Sequence, residues 1–176
     1  MLGCSSLRDS RYRVQNDEFK NQSTISLTQY LSPEERRLGI GTLKITYQQI
    51  KNINGNFLKA FVFVSRNESS FPIESKAFVK VGGKTFEVVL KNQMSESRTS
   101  VSTETNTTTK DSVTITTSES NTKQFYNDKF ILSLNAEIVE AILQSNILVF
   151  RFYFGPEMLT YKSNAYQLKR VKGLLK

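Results

Sequence analysis

The sequence predicts an α+β, mainly β fold: an antiparallel sheet or sandwich of about seven or eight strands, with one mid-length helix and a basic C-terminal helix. Apolar and polar residues alternate over much of the chain, as they do in half-buried strands. The dipeptides Asn54-Gly55 and Gly82-Gly83 lie between such stretches and favour tight hairpin turns. Only the segment around residues 135–146 is long enough to connect parallel strands, so the pairing is expected to be antiparallel.

The N-terminal part is expected to contain a leader, one strand and a short helix. Residues 1–20 are polar and lack apolar periodicity, which predicts a flexible leader, and residues 21–176 form a single β-rich domain in this interpretation. The stretch TISLTQYL alternates as a strand does. It is followed by SPEERRLG, in which Ser32 is a candidate helix cap and Pro33 a candidate first helical residue.

Two hairpins are expected next. TLKITYQQIKNI and NFLKAFVFVSRN flank Asn54-Gly55, and KAFVKV and KTFEVVL flank Gly82-Gly83. A different composition follows at residues 95–122, where 17 of the 28 residues are Ser or Thr. Polar tracts of low complexity are often disordered, but Thr is β-branched and also favours strands. The sequence therefore predicts a surface excursion that is either disordered or a two-stranded ribbon.

The C-terminal part is expected to alternate strands and helices. KFILSL predicts a strand, and NAEIVEAILQS predicts a helix capped by Asn135. NILVFRFYF predicts a buried strand that ends at the turn Gly155-Pro156, before the strand EMLTYKS. The apolar face of that buried strand would carry Leu148, Phe150, Phe152 and Phe154. The terminal segment predicts a basic amphipathic helix that packs through Leu168, Val171 and Leu175.

Composition argues against most catalytic chemistries. The chain has one Cys and no His, so neither an internal disulfide nor a nucleophile activated by His can form within it. Paired carboxylates occur in the leader, at a candidate helix cap and on a predicted solvated helix face, where none suggests acid–base catalysis. No catalytic residue, metal ligand or cofactor is assigned, and a non-enzymatic protein is expected.

Positive charge predicts an anionic partner. The formal net charge is +8, and residues 41–92 and 155–176 carry most of the excess of Lys and Arg. Concentrated positive charge favours nucleic acid, lipid headgroups or other polyanions. The candidate surface for such a partner comprises Lys44, Lys51, Lys59, Arg66, Lys76, Lys80, Lys84, Lys169, Arg170 and Lys172.

One strand combines aromatic and basic residues. KAFVFVSR at residues 59–66 partly resembles the RNP1 strand of RNA-recognition domains, in which exposed aromatic residues stack on bases. Ala60, Val62 and Arg66 depart from that pattern, and the preceding element is a hairpin partner instead of a helix. Phe61 and Phe63 are therefore expected to be core residues.

The stretch MLGC at the start of the sequence resembles the lipobox of bacterial lipoproteins. In that motif an apolar residue lies three positions before the Cys and a small residue, here Gly3, lies directly before it. The thiol of the Cys is the nucleophile that accepts a diacylglyceryl group. The resemblance implies an acylated Cys4 and a membrane partner, with the polar leader as a tether to the domain.

The sequence thus predicts a non-enzymatic cell-envelope lipoprotein, anchored through Cys4, that binds a protein or polyanionic partner; the outer membrane or cell surface is the favoured site. One alternative is a cytoplasmic basic module that binds nucleic acid through residues 41–92. Another is a subunit of a larger secretion, phage or surface assembly, in which the Ser/Thr-rich segment is ordered against a neighbouring subunit.

Overall fold

One antiparallel sheet organises the molecule. The structure, a computed structural model, describes residues 12–35, 39–52, 55–67, 71–110 and 113–176. Its strands are β1 Tyr12–Asp17, β2 Gln22–Leu31, β3 Leu43–Asn52, β4 Gly55–Asn67, β5 Ile73–Val81, β6 Lys84–Lys110, β7 Val113–Leu134, β8 Leu148–Phe154 and β9 Glu157–Lys162. Helix α1, Ala136–Gln144, lies between β7 and β8, and helix α2, Ala165–Leu175, follows β9.

The described residues form a 9-stranded sheet in the order β1-β2-β3-β4-β7-β6-β5-β8-β9. Every pairing is antiparallel, which confirms the predicted mainly β fold and its antiparallel sheet. The strand number is higher than the seven or eight expected, and the strands form one sheet instead of two packed sheets. The additional strand is β1.

Strand β1 lies inside the predicted leader, so for residues 12–17 the expectation of a flexible segment was wrong. Val14 pairs with Ile25, and the Tyr12 hydroxyl donates a hydrogen bond to the Arg170 carbonyl oxygen at 2.7 Å. The Arg170 guanidinium also lies 4.0 Å from the centre of the Tyr12 ring. The side chains of β1 are mostly exposed and give no apolar pattern, so backbone pairing holds a strand that periodicity does not reveal.

The short helix expected after Ser32 is not formed at Pro33. Pro33 makes a β-bridge with Tyr161, and the Glu34 backbone N–H donates to the Thr160 carbonyl oxygen at 2.8 Å. The remainder of that helix prediction, residues 36–38, lies outside the described residues. The chain after β2 therefore contacts the far edge strand β9, and the Tyr161 hydroxyl donates to the Gly41 carbonyl oxygen at 3.1 Å.

Both predicted hairpins are confirmed. In the first, β3 pairs with β4 and Asn52 lies opposite Gly55; Asn54 of the predicted turn lies outside the described residues. In the second, Val81 lies opposite Lys84, and Gly82 has a φ of 59°, a conformation that glycine adopts without steric cost.

The helices cover one face of the sheet, which we call the inner face. Helix α2 packs on β2 and β3, and α1 packs on β5 and α2. As predicted, Asn135 caps α1, with its side chain accepting from the Ile138 N–H at 2.9 Å. Asn164 and Gln167 form a capping box at the start of α2. The predicted apolar residues of β8 are all buried, and α2 buries Leu168, Val171 and Leu174, with the predicted Leu175 only partly buried.

The Ser/Thr-rich segment forms an ordered two-stranded ribbon. Its strands, the distal parts of β6 and β7, pair without interruption from Met94–Lys129 to Lys110–Val113. Beyond the pair Arg98–Phe125, neither strand has a second partner strand among the described residues. The ribbon, Arg98–Lys110 with Val113–Phe125, thus projects from the sheet by about 40 Å at ~3.3 Å per residue.

A buried ion pair lies where the ribbon leaves the core. Arg66 Nε is 2.7 Å from Asp128 Oδ2, and the two side chains are 6% and 3% exposed. The guanidinium also donates to Ser95 Oγ at 3.4 Å and stacks over the Tyr126 ring at 4.4 Å. The attraction between a buried carboxylate and a buried guanidinium offsets the large free-energy cost of removing each charge from water.

We predict that Asp128→Ala lowers the free energy of unfolding by about 3–5 kcal/mol, because it removes the Asp128 carboxylate from the buried Arg66 guanidinium. Urea unfolding followed by circular dichroism measures this change. Glu87→Ala is the matched control: it breaks the exposed Lys76–Glu87 pair, whose atoms are 2.9 Å apart, and should cost at most about 1 kcal/mol. Equal losses in the two variants would contradict a special role for the buried pair.

Candidate functional site

A groove crosses the outer face of the sheet, the face opposite the helices. Its apolar floor is formed by Phe61 and Phe63 of β4, Ile131 of β7 and Met94 of β6. The register places these side chains on one face, because Phe61 lies opposite Ile131, and Phe63 and Met94 both lie opposite Lys129. The groove has a volume of about 440 Å³, within the range of small-ligand sites.

The position of Phe61 and Phe63 corrects the expectation that they are core residues. The buried apolar residues described in β4 are Leu58, Ala60, Val62 and Val64, whereas Phe61 is 37% exposed. Tyr47 lies directly opposite Ala60 and fills the inner-face space at that point. Because both faces of β4 are apolar, alternation alone does not decide which set points inward.

A β-bulge forms one end of the groove. The pairing of β6 with β7 shifts register between Lys91 and Met94, and Asn92 has a φ of 52°, in the left-handed region. A bulge changes the direction in which the following side chains point and interrupts the regular pairing of the two strands. Here Asn92 and Met94 both line the groove, so the bulge gives this site its wall on the β6 side.

Two lysines flank the apolar floor, and they differ in their surroundings. Lys129 Nζ lies 2.6 Å from Glu96 Oε1, and Arg98 lies 3.1 Å from the other oxygen of that carboxylate. These hydrogen bonds, that with Lys129 first, lower the pKa of Glu96, so its carboxylate remains charged and offsets Lys129. Lys44 forms no ion pair with any described residue, which makes it the groove cation that is available to a ligand.

The structure divides the predicted basic surface instead of bringing it together. Arg66 is buried in the ion pair with Asp128 and was wrongly placed on a surface. Lys51 is half-buried near Asp17, at the end of β3. Sheet positions on the outer face hold Lys44, Lys59, Lys76 and Lys80, and Lys84 is exposed at the hairpin end. The helix α2, on the inner face, carries Lys169, Arg170 and Lys172.

Sequence reasoning missed Met94, Asn92, Lys129 and Ile131. They join the groove only because β7 and β6 lie beside β4, a long-range pairing that local patterns do not encode. The available signal was the run AFVFV, since a strand that is apolar on both faces must be covered on both or expose one apolar face.

A second polar cluster lies buried beneath α2, on the inner face. Gln29 donates from Nε2 to the Gln167 carbonyl oxygen at 2.8 Å, but its Oε1 and the Tyr47 hydroxyl find no hydrogen-bond partner among the described residues. Burial raises the pKa of Tyr47, so its phenol stays protonated. Ser163 is near enough to lower that pKa slightly, yet its geometry falls short of a hydrogen bond. Buried polar groups of this kind are commonly satisfied by internal water.

Other candidate chemistry is sparse in the described ranges. No cluster of three or more Asp, Glu or Cys side chains there is arranged to hold a metal ion. Neither α1 nor α2 is long and apolar enough to cross a membrane. Cys4 lies outside the described residues, so its predicted acylation stays a prediction from sequence.

No protein-family model matches the chain, and no curated protein or solved structure matches it. Function is therefore inferred from the geometry of the groove, the ribbon and the buried ion pair.

Proposed function

We propose that the chain is a non-enzymatic binding module of the cell envelope, attached to the membrane through Cys4, that binds a negatively charged amphiphile in the outer-face groove. The observation that carries the proposal is the apolar floor of Phe61, Phe63 and Met94 beside Lys44, which has no ion-pair partner in the part of the chain that the structure describes. The sequence predicts that the partner is either a protein or a polyanion. The groove favours a partner with an apolar part as well as an acid group.

The apolar floor supplies affinity that charge alone does not. Each CH₂ of an acyl chain that leaves water contributes about 0.8 kcal/mol to the binding free energy. Covering the exposed Phe61 ring removes further apolar surface from water and also favours binding. The acid group then determines orientation, because Lys44 lies at the β3 side of the floor and Lys129 is already engaged by Glu96. An acidic envelope lipid, or a molecule that shares its acyl chain and acidic headgroup, has this chemistry.

We predict that dodecyl phosphate, below its micelle concentration, binds more tightly than dodecyl maltoside, which has the same chain and no charge. Lys44→Glu should weaken dodecyl phosphate binding about tenfold and leave dodecyl maltoside nearly unchanged, because only the first ligand uses the cation. Isothermal titration calorimetry measures both. Lys169→Glu is the matched control, since it makes the same charge change on α2.

The same titration tests the nucleic-acid alternative. Phe61 and Phe63 on an open sheet face would also suit stacked bases, and binding would then fall steeply with added salt. Equal effects of Lys44→Glu and Lys169→Glu would overturn the groove proposal. So would displacement of dodecyl phosphate by a lower concentration of single-stranded oligonucleotide.

We predict that Glu96→Gln strengthens dodecyl phosphate binding, by about threefold, because it removes the acid that engages Lys129 at the groove. Lys129 holds the pKa of Glu96 below its usual value, so the carboxylate of the unmodified chain stays ionised as the pH falls from neutral to mildly acidic. The difference between the two proteins should therefore persist over that range. Calorimetry at neutral and mildly acidic pH measures it; an unchanged or weaker affinity in the variant would contradict the assigned role of Lys129.

We predict that the native protein carries a lipid on Cys4 and sediments with membranes, whereas Cys4→Ser is released, because the thiol is the attachment point. Intact-mass spectrometry of protein extracted from its own cells measures the modification. A conservative change at the neighbouring residue, Ser5→Ala, is the control and should leave the mass shift in place. An unmodified Cys4 with Met1 retained would overturn the anchor and leave the groove proposal standing.

A further inference from the structure

The ribbon presents two strand edges that the described molecule does not cover. Beyond Arg98–Phe125, β6 and β7 hydrogen-bond only to each other across their shared side, among the described residues. The backbone groups on the outer sides of both strands are therefore exposed. Exposed strand edges are templates for pairing with another strand, and an isolated two-stranded hairpin is only marginally stable in water.

The usual protection of strand edges is largely missing from the ribbon. Proteins shield such edges with Pro, bulges or frequent charged residues. Residues 99–124 contain no Pro, and the register runs without a shift from Met94 to Lys110. Charged side chains are also few in this stretch: they are Glu104, Lys110, Asp111, Glu119 and Lys123.

The two faces of the ribbon differ in charge. The register places one set of uncharged side chains on a single face: Thr99, Val101, Thr103, Thr105 and Thr107 of β6 with Thr116, Ser118, Ser120, Thr122 and Gln124 of β7. On that face the Thr103 and Ser120 hydroxyls are 3.2 Å apart, and those of Thr105 and Ser118 are 3.4 Å apart. The opposite face carries Arg98, Glu104, Glu119 and Lys123. A neighbouring strand that extends both faces of the ribbon must alternate uncharged and charged side chains in the same way.

We propose that the ribbon is a self-assembly arm, in which the β7 edge of one copy pairs with the β6 edge of the next copy. The partner that fits is a second copy of this chain, because it offers an antiparallel strand of equal length with the same uncharged and charged faces. Head-to-tail pairing covers both edges of every ribbon, whereas a two-fold pairing of identical edges would leave one edge of each exposed. Such a heterologous contact generates a closed ring or an open filament.

Assembly and ligand binding respond oppositely to salt, so the two proposals can fail separately. Copies of a chain with a formal charge of +8 repel one another, and added salt screens that repulsion. Ribbon pairing through neutral backbone groups should therefore be kept or strengthened at high salt. Binding of an anionic ligand near Lys44 should be weakened.

The first test is the oligomeric state of the full chain carrying Cys4→Ser, which can form neither the proposed lipid attachment nor a disulfide. Light scattering coupled to size-exclusion chromatography should show oligomers whose mass rises with protein concentration. A variant in which Asn-Gly replaces residues 99–124, joining Arg98 to Phe125, should be a monomer that still binds dodecyl phosphate. A monomeric full chain at all concentrations and salt levels, or oligomers that persist in the shortened variant, would overturn the proposal.

The second test identifies the paired edges without removing the ribbon. In a Cys4→Ser background, a Thr103→Cys chain is mixed with a chain carrying Cys in place of Thr116, Ser118, Ser120 or Thr122. Disulfides need Cα atoms about 4.4–6.8 Å apart, which only neighbouring strands provide, since equivalent strands of adjacent copies lie about 10 Å apart. The proposal expects mixed disulfides with some of the β7 variants after oxidation. Disulfides between two Thr103→Cys chains alone, or none at all, would overturn it.

Discussion

The ion pair between Arg66 and Asp128 holds the junction on which both outer-face groove and ribbon depend. It joins β4 to β7, reaches β6 through Ser95, and lies where Ile40 forms a bridge to Arg66. The groove residues occupy the other face of the same strands, and the ribbon extends from their ends. A buried charge pair is a costly way to join strands, but it fixes their relative position, because separating the two groups loses their attraction while both stay away from water.

Local signals predicted most of the local structure, although the helix signal at Ser32 and Pro33 was overridden by pairing with β9. The hairpin at Gly82, the Asn135 cap and the alternating Phe residues of β8 were recognised because each depends on residues close together in sequence. Strand β1 was missed because its side chains are exposed and only its backbone is paired. The inner position of Arg66 and the outer position of Phe61 were missed for another reason: which face of β4 points into the core is decided by the packing of the whole sheet, including its neighbour β7, far along the chain.

The groove and the ribbon are neighbours in the structure. Met94 and Lys129 form the first pair beyond the bulge, and both line the groove. A ligand bound as proposed would therefore lie four residues of β6, Met94 to Arg98, from the start of the ribbon. If ribbons align in an assembly, the grooves of successive copies are brought onto one side, and weak individual binding sites act together on a surface that displays many acidic amphiphiles.

The bridge between Pro33 and Tyr161 has a consequence for the time at which the protein folds. The end of β2 cannot contact β9 until β9 itself, which directly precedes helix α2, has been synthesised. Contacts between residues so distant in sequence close slowly, because a long loop must be ordered before they form. The contact between the end of β2 and β9 is therefore expected to form after local hairpins such as β3–β4 and β8–β9.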